Sequence, residues 1–405
     1  MAEKVLVVED SRTIRHLLES QLTRDGFEPV LTTCISEAKE YLSQGMDFLC
    51  AILDYCLPDG QDGEIIDLVL SHKIKSIVLT AHMEDDIRQQ VLDKGVIDYI
   101  PKDSPASVAY ISPLLKRLSA NKKHTVLVVD DSLTIRNYLS SLLTQQYLNV
   151  VTANDGLQGL AELERHNITM VITDHDMPNM DGISMIREIR RHQNRNQLVI
   201  LGVSGTCDDS LTARFLKAGA NDYVKKPFNQ EEFYCRIHHM LNMKDTGDKL
   251  YALAHRDSLT GLWNRHHFFD FATKKAQSIR HCYAMLDIDF FKQVNDTYGH
   301  DGGDTVLQEM GKLLKDFFPK DLVARLGGEE FVIQSEMPLN NFTEQLERMR
   351  EKLENHSIIH GSDQICVTIS IGVTEGVGCI EHLLKKADQN LYTAKNSGRN
   401  QCMVA

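Results

Sequence analysis

The chain has 405 residues, 57 acidic against 44 basic, and a formal net charge of −13, a balance that argues against a broad nucleic-acid or anionic-membrane surface. The length predicts two to three domains with ample cores. Nine cysteines without Cys-x-x-Cys spacing exclude a disulfide framework and fit a reducing cytoplasm. Charges at Glu3 and Lys4 just before an apolar run argue against a signal peptide, and no apolar run approaches membrane-spanning length, so a soluble, cytoplasmic protein is expected.

From the N-terminus, Val5-Leu6-Val7-Val8 reads as a buried strand that ends on the acidic pair Glu9-Asp10. The pattern recurs as Val126-Leu127-Val128-Val129 with Asp130-Asp131, so a domain is duplicated. Later landmarks keep step: Asp54 with Asp174, Thr80 with Ser204, Tyr99 with Tyr223, and Lys102 with Lys226. Short apolar strands alternate with amphipathic helices between them, the pattern of a doubly wound parallel sheet. Ligands of such sheets sit outside the carboxyl ends of the strands, where all these polar residues fall. An acidic pair plus a third Asp suits Mg²⁺. A Lys supplies compact positive charge for a phosphoryl group, and a Ser or Thr hydroxyl can bond to it.

Both units resemble response-regulator receiver domains, expected over residues 1–120 and 122–244. The resemblance implies Asp54 and Asp174 as phosphoacceptors, Glu9, Asp10, Asp130 and Asp131 as metal ligands, and Thr80, Tyr99, Lys102, Ser204, Tyr223 and Lys226 as the switch residues. It also implies a sensor histidine kinase or phosphotransfer protein as partner. The first unit has Lys102-Asp103 where the second has Lys226-Pro227, and Gly205 follows Ser204 where the family usually has Ala, which should loosen that loop. The short basic linker at residues 118–124 implies packed receivers. Residues 245–256 read as a second linker, with Gly247 marking a hinge rather than a continuous helix.

In the last third, Tyr283-Ala284-Met285-Leu286-Asp287-Ile288-Asp289 reads as a strand feeding a polar loop that holds Asn295, His300 and Asp304. Arg325-Leu326-Gly327-Gly328-Glu329-Glu330-Phe331 reads as a hairpin with Gly-Gly at its tip and two carboxylates on the outgoing strand, pointing to opposite faces. Asp287 beside Glu329 would supply the hard oxygens that Mg²⁺ prefers, with positions open to substrate phosphates. Asn295 can donate and accept, whereas Asp304 accepts from the N1 and N2 hydrogens of guanine, a pattern adenine lacks. GTP is therefore favoured over ATP.

This segment resembles the GGDEF family of diguanylate cyclases in its Glu-for-Asp form, through Asp257-Ser258-Leu259-Thr260-Gly261-Leu262 at its start, the Gly-Gly turn, and Lys395-Asn396-Ser397-Gly398-Arg399 near its end. The expected fold class is α/β: two flavodoxin-like (βα)5 receivers followed by an α+β nucleotidyl-cyclase-type domain over 257–405. The resemblance implies metal (Mg²⁺ or Mn²⁺) held by Asp287, the Ile288 carbonyl and Glu329, with Glu329 and Glu330 catalytic. Asn295, His300, Asp304, Gly327 and Gly328 would hold the nucleotide, with Lys395 and Arg399 on one helix face for its triphosphate. The implied reaction joins two GTP into cyclic di-GMP in a homodimer under phosphorylation control. The competing readings are a phosphorelay scaffold or GTP-sensing module without turnover, and a cyclase accepting ATP. Asp289 is expected to be solvated or to sit behind the metal ligands. Phe318 stands where product-inhibited relatives carry an Arg, three residues before Asp321, so product inhibition at that site should be weak. Arg348 reads as a solvated helix charge, and His238-His239 and His266-His267 read as surface or packing residues.

Overall fold

The computed structural model describes residues 2–81, 85–205, 210–276 and 279–404. The chain divides into two compact units, Met1–Gly247 and Asp248–Ala405.

The first unit holds both repeats. In the first repeat the order is β1 (Lys4–Val8), α1 (Arg12–Arg24), β2 (Glu28–Thr32), α2 (Ile35–Ser43), β3 (Cys50–Asp54) and α3 (Glu64–Ser71). It continues with β4 (Ser76–Thr80), α4 (Asp85–Asp93), β5 (Asp98–Pro101), α5 (Pro105–Ala109) and α6 (Ile111–Asn121). The second repeat runs β6 (Thr125–Val129), α7 (Leu133–Gln145), β7 (Asn149–Ala153), α8 (Gly156–Arg165), β8 (Met170–Asp174) and α9 (Gly182–His192). It ends with β9 (Val199–Ser204), α10 (Ser210–Ala218), β10 (Asp222–Lys225) and the long α11 (Gln230–His255). Both sheets are parallel and five-stranded, ordered β2-β1-β3-β4-β5 and β7-β6-β8-β9-β10. Each reverses direction of winding beside its first strand, which opens a crevice at the strand ends there. Central strands such as β3 are buried throughout because helices cover both faces, hence their unbroken apolar runs.

The duplication extends to helix capping. In the second repeat Asp155 caps α8 itself, its Oδ1 accepting from the Gln158 N–H at 2.8 Å. In the first repeat Cys34 stands at that place, and Asp59 reaches over instead, accepting from the N–H groups of Ile35 and Ser36 at 2.8 and 2.9 Å. These bonds hold Asp59 down to about 2, as expected for a carboxylate at a helix N-terminus.

The two repeats pack on each other, as the short linker implied. Arg117 of α6, Lys123 and His124 converge on Asp245 of α11 at 2.8, 2.9 and 3.2 Å, and Lys75 of the first repeat sits 3.5 Å from the Tyr147 ring centroid of the second. The hinge expected at Gly247 is not present: α11 is helical throughout. One glycine costs a helix only about 1 kcal/mol, and the ion pairs on Asp245 fix the turn before it.

The second unit comprises β11 (Trp263–Asn264), α12 (Arg265–Ala276), β12 (His281–Ile288), α13 (Phe291–Phe317), β13 (Leu322–Gly327) and β14 (Glu330–Ser335). Then come α14 (Leu339–Glu354), the hairpin β15 (Ile358–His360) and β16 (Asp363–Ile365), β17 (Ile369–Gly376), α15 (Ile380–Asn396) and β18 (Cys402–Val404). The mixed sheet is ordered β11-β13-β14-β12-β17-β18, with β12 antiparallel to both neighbours. Helix α15 lies against β17 so closely that a Cβ on Gly372 would stand 2.1 Å from both the Ala387 carbonyl and the Leu391 nitrogen. Phe318 caps α13 and is buried against Phe342, which explains an aromatic where an Arg would be solvated. No helix among the described residues is long and apolar enough to cross a membrane.

Candidate functional sites

In the first repeat Glu9, Asp10 and Asp54 bring carboxylate oxygens within 4.8 Å of one another. Lys102 spans two of them, its Nζ 2.8 Å from Glu9 and 2.6 Å from Asp54. Its backbone N–H donates to the Thr80 carbonyl at 2.7 Å, which ties the lysine to the end of β4. Burial pushes Glu9 up to about 7, with the charge of Asp54 adding to it against Lys102. Burial likewise raises Asp54. Three carboxylates facing one ammonium leave a surplus of negative charge and three hard oxygen donors, which is consistent with a Mg²⁺ site. Tyr99 is buried on the neighbouring strand.

The second repeat has the same frame with different spacing. Lys226 Nζ lies 2.6 Å from Asp130 and 2.7 Å from Asp174, and its N–H donates to the Ser204 carbonyl at 2.8 Å. Asp174 is raised by burial. Asp131 is exposed, and among the described residues this trio does not close as the first does. Tyr223 is half-buried beside Phe215, ring centroids 5.3 Å apart. The loop after Gly205, expected to be loose, falls on residues 206–209, outside the described residues.

In the second unit the Gly-Gly turn differs from expectation by one position. Gly327 still belongs to β13 and pairs with Glu330, so the tip is Gly328-Glu329. Glu329 is therefore a turn residue and Glu330 the first of the strand, rather than two neighbours on one strand. A register shift between Arg325 and Gly327 causes the offset. Positive φ at Gly327 (150°) and Gly328 (52°), with nothing within 4 Å of an added Cβ, leaves the tip open to a ligand. Across the sheet Glu330 is the register partner of Asp287. Asp287 is 6% exposed, and burial raises its pKa, the charges of Glu329 and Glu330 adding while Lys395 opposes. Lys395 Nζ stands 2.7 Å from Asp287 Oδ2. Ile288, whose carbonyl was expected to join the ligands, is the last residue of β12.

The polar loop expected after Asp287 is a helix. Asn295, His300 and Asp304 all lie on α13, which is broken at Gly299 (φ 75°, ψ 173°). Asn295 precedes that break; His300 and Asp304 follow it, both exposed. The two halves meet: an added Cβ on Gly303 would stand 1.9 Å from Asn295 Oδ1, so Asn295 rests on the backbone just before Asp304.

Arg399 departs from expectation. Helix α15 ends at Asn396, so Lys395 and Arg399 do not share a helix face. Arg399 has φ 63°, and its guanidinium carbon lies 4.4 Å from the Phe290 ring centroid. Asp289 is not solvated. It is buried and accepts hydrogen bonds from Thr368, Ser370 and Asn400. Arg325, quoted only as a flank of the turn, fixes it: its Nε donates to the Gly328 carbonyl at 2.9 Å and its Nη1 to Asp257 Oδ1 at 3.1 Å. An arginine among apolar strand residues is the signal that could have found it.

Arg348 pairs with Glu344 on its own helix at 2.5 Å. His238 is packed on Tyr234 and pushed down to about 4 by burial. His266 pairs with Asp270 and His267 stacks on Trp263. None of these serves the sites above.

Residues 5–109 and 126–238 match the response regulator receiver domain family, and residues 254–401 match the diguanylate cyclase GGDEF domain. A solved structure described as a putative two-component system response regulator/GGDEF domain protein is 38% identical, with a TM-score of 0.56, over 60% of this chain and 99% of its own. The chain is a response regulator with two receiver domains and a GGDEF domain. This response regulator is also 28% identical to Response regulator PleD of Caulobacter vibrioides, over 99% of its length and 98% of PleD's. Its GGDEF region is 37% identical to diguanylate cyclase DgcM of Escherichia coli, over 42% of this chain and 43% of DgcM. Receiver domains imply a phosphodonor kinase.

Proposed function

We propose that this response regulator is a phosphorylation-controlled diguanylate cyclase, forming cyclic di-GMP and two pyrophosphates from two GTP. The observation that carries the reading is the convergence of Asp287, Glu329, Glu330 and Lys395 at the open Gly327-Gly328 turn. Asp287, the Ile288 carbonyl and Glu329 would hold Mg²⁺ (or Mn²⁺); the set of hard oxygen donors fits such an ion, which when bound neutralises triphosphate charge. Glu329 then takes the ribose 3′-hydroxyl proton as that oxygen attacks the α-phosphorus of the opposing GTP and pyrophosphate leaves. Glu330 completes the acidic environment. Gly327 and Gly328 admit the phosphates, Lys395 and Arg399 bind them, and Asn295, His300 and Asp304 hold the guanine.

Each domain binds one guanosine and the product is twofold symmetric, so the active species is an isologous homodimer. Catalysis is then largely positioning. Phosphorylation of Asp54 and Asp174 by a histidine kinase or phosphotransfer protein places new charge beside Lys102 and Lys226, draws on Thr80 and Ser204, and moves Tyr99 and Tyr223. The altered receiver surface brings two cyclase domains together and raises the effective concentration of one near the other. Domain boundaries at 1–120, 122–244 and 257–405, and a cytoplasmic location, accompany this reading.

Purified protein incubated with GTP and Mg²⁺, with and without a phosphoryl analogue, tests it. Cyclic di-GMP is expected. Its absence from an analogue-activated dimer would favour a scaffold or GTP-sensing module, and equal use of ATP would reject the guanine assignment.

A further inference from the structure

We propose that Asp289 is a positioning residue that presents Arg399 to the triphosphate, an inference that rests on the role given to Arg399 above. Asp289 follows β12 and is 4% exposed. Its Oδ1 accepts from Ser370 Oγ at 2.7 Å, and its Oδ2 from Thr368 Oγ1 at 2.7 Å and from the backbone N–H of Asn400 at 3.1 Å. Its own N–H donates to the Thr368 carbonyl at 2.9 Å. One carboxylate thus joins the end of β12, the start of β17 and the loop between α15 and β18.

The backbone around it shows why such a tie is needed. Phe290, Arg399 and Asn400 have φ of 55°, 63° and 45°. Asn tolerates the left-handed region, but Phe and Arg enter it at a cost and stay only where their surroundings hold them. Asp289 holds both sides: it precedes Phe290 in the chain, and it grips the N–H of the residue after Arg399. Arg350 adds a second restraint, its Nη1 donating to Asn400 Oδ1 at 2.8 Å. The result is the stack of the Arg399 guanidinium over the ring of Phe290, a residue three positions along the chain from Asp287, and such a stack is favourable for a cation on an aromatic face. Without the carboxylate, Arg399 and Asn400 can relax to ordinary backbone angles and the guanidinium loses its fixed aim.

The test uses the full-length protein, with initial rates against GTP concentration at saturating Mg²⁺ and, in parallel, binding of a non-hydrolysable GTP analogue. Asp289→Ala is expected to raise KM and the analogue Kd by about tenfold while kcat changes by less than about threefold, the signature of lost uniform binding. Asp289→Asn, which keeps a side-chain oxygen to accept from the Asn400 N–H and leaves the Arg350–Asn400 bond intact, should retain KM and Kd values between those of wild type and Asp289→Ala. Should Asp289→Ala fail to fold, Thr368→Val, which removes one donor to the same carboxylate, is expected to show a smaller rise in both constants. A lowered kcat with KM and Kd unchanged would mean a merely structural role and overturn the proposal, as would an Asp289→Asn variant no better than Asp289→Ala. A wild type that binds the analogue but makes no product would reject the cyclase reading alone, and the Kd comparison would still decide the role of Asp289.

Discussion

Lys395 Nζ lies 2.7 Å from Asp287 Oδ2, so the lysine meant for a triphosphate rests on the carboxylate meant for a metal. Metal with nucleotide would take over Asp287 and release the lysine to the phosphates. Asp287→Ala or Glu329→Ala should then lower turnover by at least about 10²-fold, the scale of losing a group that stabilises developing charge, with the melting temperature little changed. Lys395 also opposes the upward shift of Asp287. A carboxylate with a raised pKa protonates at higher pH than usual as acid is added, and Lys395→Met should move that loss higher still. The acid limb of the kcat/KM profile of Lys395→Met is therefore expected above that of wild type, and an unmoved limb would detach Lys395 from Asp287 in the free enzyme.

The break at Gly299 lets Asn295 fold onto Gly303 beside Asp304. Asp304→Ala should erode the preference for GTP over ATP by roughly 10–100-fold, as expected when a polar contact that discriminates substrates is lost. Gly303→Ala should raise the KM for GTP, because the new methyl displaces the Asn295 side chain. Competition assays with the two nucleotides measure both effects.

Glu9 offers a test in the first receiver. Burial holds its folded pKa at about 7, above the ordinary 4.5 of the carboxyl, so the folded state binds the proton more tightly. Without divalent metal, the stability contributed by this group is complete below about pH 4.5 and is lost as pH rises towards 7. Mg²⁺ should offset that loss by compensating the ionised carboxylate. Protection factors for amide exchange in β1 and β3, which divide out the base-catalysed intrinsic rate, are expected to be lower at pH 7.5 than at pH 5.5 in chelator, and Mg²⁺ or Glu9→Gln should flatten the difference. Equal protection at both pH values in chelator would contradict the burial argument.

Gly372→Ala should destabilise the GGDEF domain by about 1–3 kcal/mol or shift α15, the usual outcome of overpacking. Because α15 carries Lys395, the variant is also expected to bind GTP more weakly. Thermal melting with analogue titration reads both.

The two parallel sheets were legible because each strand is a short apolar run ending in a residue of distinct chemistry, and because the pattern occurs twice. Asp54 beside Lys102 and Asp174 beside Lys226 follow from strand ends alone. In the GGDEF domain the sequence indicated which residues gather, but not their backbone setting. A bulge between Arg325 and Gly327 moved Glu329 from strand to turn, and no residue preference announces a bulge. The helix through Asn295 and Asp304 was hidden by four glycines, Gly299, Gly302, Gly303 and Gly311, which lower its apparent propensity although three of them serve close packing. Gly247 misled in the same way, since its helix is held by ion pairs to Asp245 from residues more than a hundred positions earlier. Asp289 looked solvated because its partners, Thr368, Ser370 and Asn400, are distant in the chain.

The central claim is that phosphorylation drives two GGDEF domains into one cyclase. Cyclic di-GMP formation per protomer, measured from GTP and Mg²⁺ across a range of protein concentrations with and without a phosphoryl analogue, tests it most directly in wild type, Asp54→Ala and Asp174→Ala. The account predicts a rate that rises with concentration, with the analogue moving that rise to lower concentration in wild type and less so in one or both variants. A rate independent of concentration, or equal stimulation of all three proteins, would contradict it.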